Sequence, residues 1–391
     1  MIGYAIVEVA KLIYLPENHV MGSMAAIENG TKAPRPKPRQ LTLSELIVEN
    51  SLQQSVCFAC FTRLVGLPTI PAMYRFFLTL CIGTSTLGIG LLAGELKIEG
   101  RVAFVEGPAW RSDGNVFFTD IENNRIMRKD PTGKVHVFRH PSGKANGLAF
   151  DGEGRLHACE GHREGGNRRV TRTESDGSIT VLTDRYEGKR YNSPNDLIID
   201  EKGRIYFTDP RYGGHDGPHP VEQFDDDGNA IEGVYRIDTD GSVTRIIDHE
   251  AQRPNGIAIS AGGKYLIVAD NHNGPEPDGQ RMLLRFDLKN DGSVDLASRK
   301  VLYDWEKERG PDGIAIGPDG HIYATAGLNF ASSLEAASEH LSGVYVVSIE
   351  GERLDMIPVP EDMITNCTFG GEDGRTLFIT AGAKLWSVVI K

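Results

Sequence analysis

Cysteine is scarce and unevenly placed: of five, only Cys159 and Cys367 fall in the C-terminal three quarters, which is no framework for a disulfide-stapled fold. A bridge between these two would need distant segments to meet, so both are expected as free thiols. Positive charge is not in excess either. The 391-residue chain carries a net charge of −12, which excludes general nucleic-acid binding, because phosphate contacts need a basic surface. Apolar runs of membrane length are nearly missing, the one candidate lying within residues 76–94. Glycine, by contrast, is plentiful at 45 residues; with 40% hydrophobic and 25% charged residues it describes a globular chain rich in turns.

One pattern fills the C-terminal three quarters. Residues 192–210 read N-S-P-N-D-L-I-I-D-E-K-G-R-I-Y-F-T-D-P, and the pattern returns from Arg253 (R-P-N-G-I-A-I-S-A-G-G-K-Y-L-I-V-A-D), Gly310 (G-P-D-G-I-A-I-G-P-D-G-H-I-Y-A-T-A) and Ile364 (I-T-N-C-T-F-G-G-E-D-G-R-T-L-F-I-T-A). Upstream it stands at Lys144 (K-A-N-G-L-A-F-D-G-E-G-R-L-H-A-C-E) and Val105 (V-E-G-P-A-W-R-S-D-G-N-V-F-F-T-D). Each copy is a polar residue, a short apolar run, a glycine-containing turn and a second apolar run, which reads as an antiparallel hairpin. Six copies some ~40–60 residues apart, each with room for two more strands, predict an all-β, six-bladed β-propeller. Those further pairs are expected at residues 125–129 and 135–138, 170–173 and 179–182, 233–237 and 243–247, 283–288 and 301–305, and 343–349 and 353–358. The sixth copy is a strand short. A strand near residues 96–104 is expected to complete it, closing the ring and removing exposed sheet edges.

Residues 1–72 do not follow this pattern. Residues 32–40 are basic and proline-rich, and therefore extended; Cys57 and Cys60 form a single C-x-x-C without a second pair of ligands, which predicts no zinc or redox site. Residues 73–94 begin with Met73 and Arg75, run apolar and end in small residues, the parts of a secretory signal. On this reading Met73 is the initiator, residues 1–72 are a mis-called or unstructured extension, and a propeller of residues 95–391 is exported to the periplasm or outside, with no stable membrane span. A membrane anchor and a cytoplasmic protein are the alternatives.

The leading polar residues, Glu106, Asn146, Asn195, Asn255, Asp312 and Asn366, stand where the chain enters the innermost strand of each blade. Six side-chain oxygens are thus expected to converge on one mouth of the central channel. Asn or Asp before Gly is also a routine turn pair, but Glu106 is a poor turn residue and holds the corresponding place. Two carboxylates and several amides facing one axis call for a cation. An oxygen-only set suits calcium, which takes about six to eight oxygens, with magnesium, manganese or zinc as alternatives.

Taken together, V-E-G-P-A-W, S-P-N-D-L, R-P-N-G-I-A and G-P-D-G-I-A, in this order and each ahead of its hairpin, resemble the gluconolactonase and regucalcin (senescence marker protein) family of six-bladed propellers, over about residues 99–391. The resemblance implies a channel metal held by Glu106, Asn255 and Asp312, with Asn195 beside it in ligation or substrate contact; no role carries over to Asn146 or Asn366. It also implies a metal-dependent hydrolase of carbohydrate metabolism that opens a sugar lactone, the cation polarising the carbonyl and activating water. Asp312 is the candidate proton acceptor, although a carboxylate beside a divalent cation is a weak base.

Substrate contacts are expected from loops on the same mouth: His162 with Arg163, Arg168 and Arg169, then residues 209–215, then residues 271–273. Within these, His162, Arg211, Tyr212 and His272 are the candidate substrate-binding residues, and residues 213–232 form either a lid or an exposed loop. Two other functions fit the same fold: phosphotriester hydrolysis of the diisopropyl fluorophosphatase type, and a propeller that binds a ligand without catalysis.

Overall fold

Strands form where β-branched and aromatic residues run between glycine turns, and they assemble in sequence order. The computed structural model describes residues 94–161, 165–212, 220–273, 279–331, 335, 337 and 339–391. The signal-like segment up to residue 93, the proline-rich stretch, Cys57 and Cys60 lie outside the described residues. Among those described there is no α-helix, and no helix is long and apolar enough to cross a membrane.

Blade 1 comprises Val105–Trp110, Val116–Asp120, Arg125–Lys129 and Val135–Arg139, and blade 2 Ala145–Phe150, Leu156–Glu160, Arg169–Thr173 and Ile179–Thr183. Blade 3 has Leu197–Ile199, Ile205–Asp209, Gly233–Ile237 and Val243–Ile247; blade 4 has Pro254–Ile259, Tyr265–Asn271, Arg281–Leu288 and Val294–Asp304. Blade 5 has Ile314–Ile316, Ile322–Ala326, Gly343–Val347 and Arg353–Pro358. In blade 6, Ile364–Gly370, Thr376–Ala381 and Lys384–Val389 are completed by Lys97–Arg101, which pairs antiparallel with the last strand, as expected for closure by the N-terminal strand. The fourth strand of blade 4 starts earlier than expected because the ladder to its neighbour resumes at Leu288↔Val294 beyond an irregularity.

Inner strands of consecutive blades pack against one another, and blade 6 returns to blade 1, so six strands surround one axis. The core is not central. It is divided into clusters that each join two neighbouring blades, such as Phe117 and Leu148 between blades 1 and 2, Phe207 and Cys159 between 2 and 3, and Trp305 and Ile314 between 4 and 5. A fully buried large apolar side chain contributes about 1.5–3 kcal/mol, so each interface is a small core of its own. Cys159 and Cys367 are buried free thiols in different clusters, in line with the expectation of no bridge.

The glycine after the leading polar residue serves a different purpose from the one a turn would give it. In blades 1, 2 and 4 the inner strand carries an extra residue at this point, between Glu106 and Ala109, Ala145 and Leu148, and Pro254 and Ile257, a β-bulge that re-aims the side chain. Gly147, Gly256 and Gly313 have no positive φ; they are needed because the next blade comes too close for a Cβ. Gly147 N donates to Asn195 O (2.7 Å), Gly256 N to Asp312 O (2.9 Å) and Gly313 N to Thr365 O (2.6 Å). Thr208 Oγ1 to Asn255 O (2.7 Å) and Thr365 Oγ1 to Val105 O (2.9 Å) continue the belt.

A Cβ on Gly256 would sit 2.5 Å from Asp312 O and 2.8 Å from Gly313 Cα, both backbone atoms that cannot step aside. Gly256→Ala is therefore expected to destabilise the protein by about 1–3 kcal/mol in urea unfolding. Gly152→Ala, at a turn with open space around it, is expected to be neutral or slightly stabilising; equal midpoints for the two variants would contradict the packing explanation.

Candidate active site

Three of the channel side chains are delivered to the axis by a carboxylate at the end of their own hairpin. Asp209 accepts the N–H groups of Asn192 (2.8 Å) and Ser193 (2.7 Å), and Asp270 those of Gln252 (2.8 Å) and Arg253 (2.9 Å). Asp120 accepts those of Ala103 (3.3 Å) and Phe104 (3.4 Å). In every case these are the third and second residues before the side chain that faces the channel: Asn195, Asn255 and Glu106. The recurring acidic residue at the end of the second strand thus fixes where the inner strand begins.

One layer around the axis holds Glu106, Asn146, Asn195, Asn255, Asp312 and Thr365. The last of these corrects the sequence reading. Ile364 pairs with Ala381 as Pro254 pairs with Asp270, so the counterpart of Asn255 in blade 6 is Thr365, and Asn366 lies one position further along. Thr365 spends its hydroxyl on the belt, leaving the other five to the channel.

The next layer holds Gly107, Gly147, Asp196, Gly256, Gly313 and Asn366. Four glycines leave space, and the two side chains fill it. Asn366 Nδ2 donates to Asp196 Oδ2 at 3.3 Å from the opposite side of the six-blade ring, while Asp196 Oδ1 accepts Leu197 N (2.9 Å) and Asn366 Oδ1 accepts Cys367 N (2.8 Å). The pair forms a floor beneath the first layer, above a 350 Å³ opening lined by Leu148, Ile198, Ile257, Ile316 and Phe369.

The first layer has oxygens to spare. Asn255 Nδ2 donates to Tyr212 Oη (2.8 Å), and Tyr212 in turn donates to Asn271 O (3.3 Å), so the amide is held with Oδ1 unpartnered. Arg309 Nη2 approaches Asp312 Oδ2 (3.5 Å), and Asp312 Oδ1 is unpartnered; Asn146 Oδ1 is likewise buried without a partner among the described residues. Glu106 Oε2 accepts its neighbouring Gly107 N–H (2.9 Å), and the Asn366 side chain is a further hydrogen-bond partner of this carboxylate. Burial raises Asp312 to about 7 and Asp196 to about 6, and it raises Glu106 well above the usual carboxylate range, with the charges of Asp312 and Asp196 adding to the rise in Glu106.

Buried acceptors without donors beside carboxylates that repel one another are the donor set of a hard cation. Glu106, Asn255 and Asp312 fit that role, with Asn195 and Asn146 within the same layer. Among the described residues no three His, Cys, Asp or Glu side chains converge on one point, so amide oxygens are essential to any such site.

The substrate candidates fare differently. Tyr212 joins the site through Asn255. Arg211 is tied by its backbone N–H to Glu232 (2.7 Å), and His272 Nδ1 meets Gln252 Oε1 at 3.1 Å. Arg168 is buried and donates to Tyr191 O (2.5 Å), and Arg169 pairs with the buried Glu160 (2.7 Å), so both are structural. His162, Arg163 and residues 213–219 lie outside the described residues.

The description "SMP-30/Gluconolactonase/LRE-like region" matches residues 104–383. The chain belongs to that family. A gluconolactonase of Zymomonas mobilis is 31% identical over 310 residues, 75% of this chain and 80% of its own. The structure of a gluconolactonase from Xanthomonas campestris shares 30% identity with a TM-score of 0.62, covering 76% of this chain and 89% of that one. A calcium-binding regucalcin of Agrobacterium tumefaciens, at 16% identity and a TM-score of 0.57, covers 77% of this chain and 94% of its own and shares the fold.

For a member of this family, Asp196 and Arg309 are the site residues that the motifs did not yield. Asp196 had a signal: it is the carboxylate that replaces glycine in the third repeat, N-D for N-G. Arg309 had none, since its place beside Asp312 depends on the loop before blade 5.

Two outcomes follow from this geometry. In chelator, the folded protein holds the protons of Glu106, Asp196 and Asp312 more tightly than the unfolded chain does, so their stabilising effect is complete below about pH 4; that of Asp196 and Asp312 is lost as pH rises through about 6 to 7, and that of Glu106 above the usual carboxylate range. The melting temperature should fall from pH 5 to 8, and Asp312→Asn should flatten the fall; parallel curves would contradict this. Tyr212→Phe frees the Asn255 amide and should weaken divalent-ion binding by about 10-fold, measured by calorimetry, with little change in melting temperature.

Proposed function

We propose that this protein is a metal-dependent hydrolase that opens a sugar lactone, with calcium as its first-choice ion. The observation that carries the proposal is the unpartnered Oδ1 of Asn255 and Oδ1 of Asp312 beside Glu106 at one level of the axis, in a chain 31% identical to a gluconolactonase. A divalent cation held there supplies Lewis acidity to a lactone carbonyl and makes water a better nucleophile at neutral pH. Glu106, Asn255 and Asp312 would hold it, with Asn195 beside them.

The chain's own residues set the rest. Arg309 and Tyr212 orient Asp312 and Asn255, so the acceptors are arranged before anything binds. The Asp196–Asn366 floor closes the channel beneath the ligands and leaves one mouth for the substrate. Asp312 is the candidate acceptor of a proton from the attacking water, a reading supported by its unpartnered Oδ1. The Tyr212 phenol, raised well above its usual range by burial, stays protonated and acts as a hydrogen-bonding group, not a base. The all-oxygen donor set is the ground for placing calcium ahead of the alternatives magnesium, manganese and zinc. The composition of residues 73–94 supports export.

The test is acid release from glucono-1,5-lactone after chelation and after adding back each ion singly. Activity should return with one ion, and Glu106→Gln and Asp312→Asn should each lower kcat/KM by about 100-fold or more. Full activity in chelator, or hydrolysis of diisopropyl fluorophosphate with none of any lactone, would overturn the proposal.

A further inference from the structure

Two hydrogen bonds away from Asn255 lies a residue with an unpartnered donor, and that donor's orientation is fixed from the backbone. Gly310 N donates to Asn273 Oδ1 at 2.9 Å. A backbone N–H can only donate, so the oxygen of the Asn273 amide must face it, and the NH₂ end points the other way. There Asn273 Nδ2 donates to Asn271 Oδ1. Asn271 has therefore committed its oxygen, and its own Nδ2 is left buried without a partner among the described residues, in a residue only 3% exposed. An unsatisfied buried donor costs about 1–3 kcal/mol, which calls for a compensating acceptor.

The place of this donor is tied to the site on two sides. Asn271 ends the second strand of blade 4, its N–H donates to Arg253 O (3.0 Å), and its carbonyl receives the hydroxyl of Tyr212, the group that holds Asn255. Gly310, where the relay starts, is two residues before Asp312. A second buried donor without a partner among the described residues, Arg309 Nε, belongs to the side chain that approaches Asp312. The residues that leave acceptors open and those that leave donors open are thus joined by hydrogen bonds.

We propose that Asn271 is a substrate-binding residue whose Nδ2 donates to a ring or hydroxyl oxygen of a cyclic polyol, and that Asn273 is the positioning residue that keeps it facing that way. A polyhydroxylated ring supplies acceptor oxygens, and an apolar ligand would leave the donor unpaired. This rests on the sugar-lactone reading and narrows it: recognition is of the sugar ring, separately from the carbonyl that reacts.

The probe is 1,5-anhydroglucitol, a six-membered polyol ring without a carbonyl, titrated calorimetrically into the calcium-loaded protein. Asn271→Ala should weaken its binding by about 5- to 10-fold, the loss of one neutral hydrogen bond. Asn273→Asp still accepts from Gly310 but cannot donate to Asn271, so the Asn271 amide turns over and the loss should be similar. The double variant should be no worse than Asn271→Ala, because both act through one N–H. In lactone turnover the same variants should raise KM more than they lower kcat, with calcium affinity unchanged. Unaltered probe binding in either single variant, additive losses, or no binding by the unaltered protein would overturn the relay. Probe binding with no lactone opened under any ion would overturn the proposed reaction and leave the relay standing.

Discussion

At four of the six approaches between neighbouring inner strands around the axis there is no room for a Cβ, and the build of the channel follows from that approach. The bulges at the leading polar residues turn those side chains inward, and the N–H groups of Gly147, Gly256 and Gly313 then reach the carbonyls of the next blade. Because the belt uses backbone groups, the leading side chains are left free for chemistry. Only in blade 6 does the belt take a side chain from this layer, Thr365, and there the channel loses a donor atom.

The second constraint is charge. Glu106, Asp196 and Asp312 are buried within reach of one another's fields, with the Arg309 guanidinium as the compensating charge that acts on Asp312. Removing charge from water is costly, and burial with like charges adds to that cost. The fold tolerates it because the six small cores between blades, and not the centre, carry the stability. A propeller can thus keep a strained, solvent-poor centre for function without placing its core at risk.

Much of this was legible in the residues. The six hairpins, their two added strands and the closure by residues 97–101 follow from a period and a turn signal, which are local properties. That Glu106, Asn255 and Asp312 share one level of the axis was legible because repeats align them. What was not legible depended on contacts between blades: the one-residue shift that puts Thr365 in the place given to Asn366, the Asp196–Asn366 floor across the axis, and the Asn273–Asn271 relay. Glycine after Asn suggested a turn because sequence shows a residue's freedom and not its neighbours; here the neighbour, the next blade's carbonyl, is the reason.

The central claim is that the first layer of the channel is a cation site built from two carboxylates and amide oxygens. The most direct test is anomalous scattering from crystals grown with manganese in place of calcium. The account predicts one peak on the axis within roughly 2.6 Å of oxygens of Glu106, Asn255 and Asp312, absent in crystals of Asp312→Asn; a peak elsewhere, or one that survives that substitution unchanged, would contradict it.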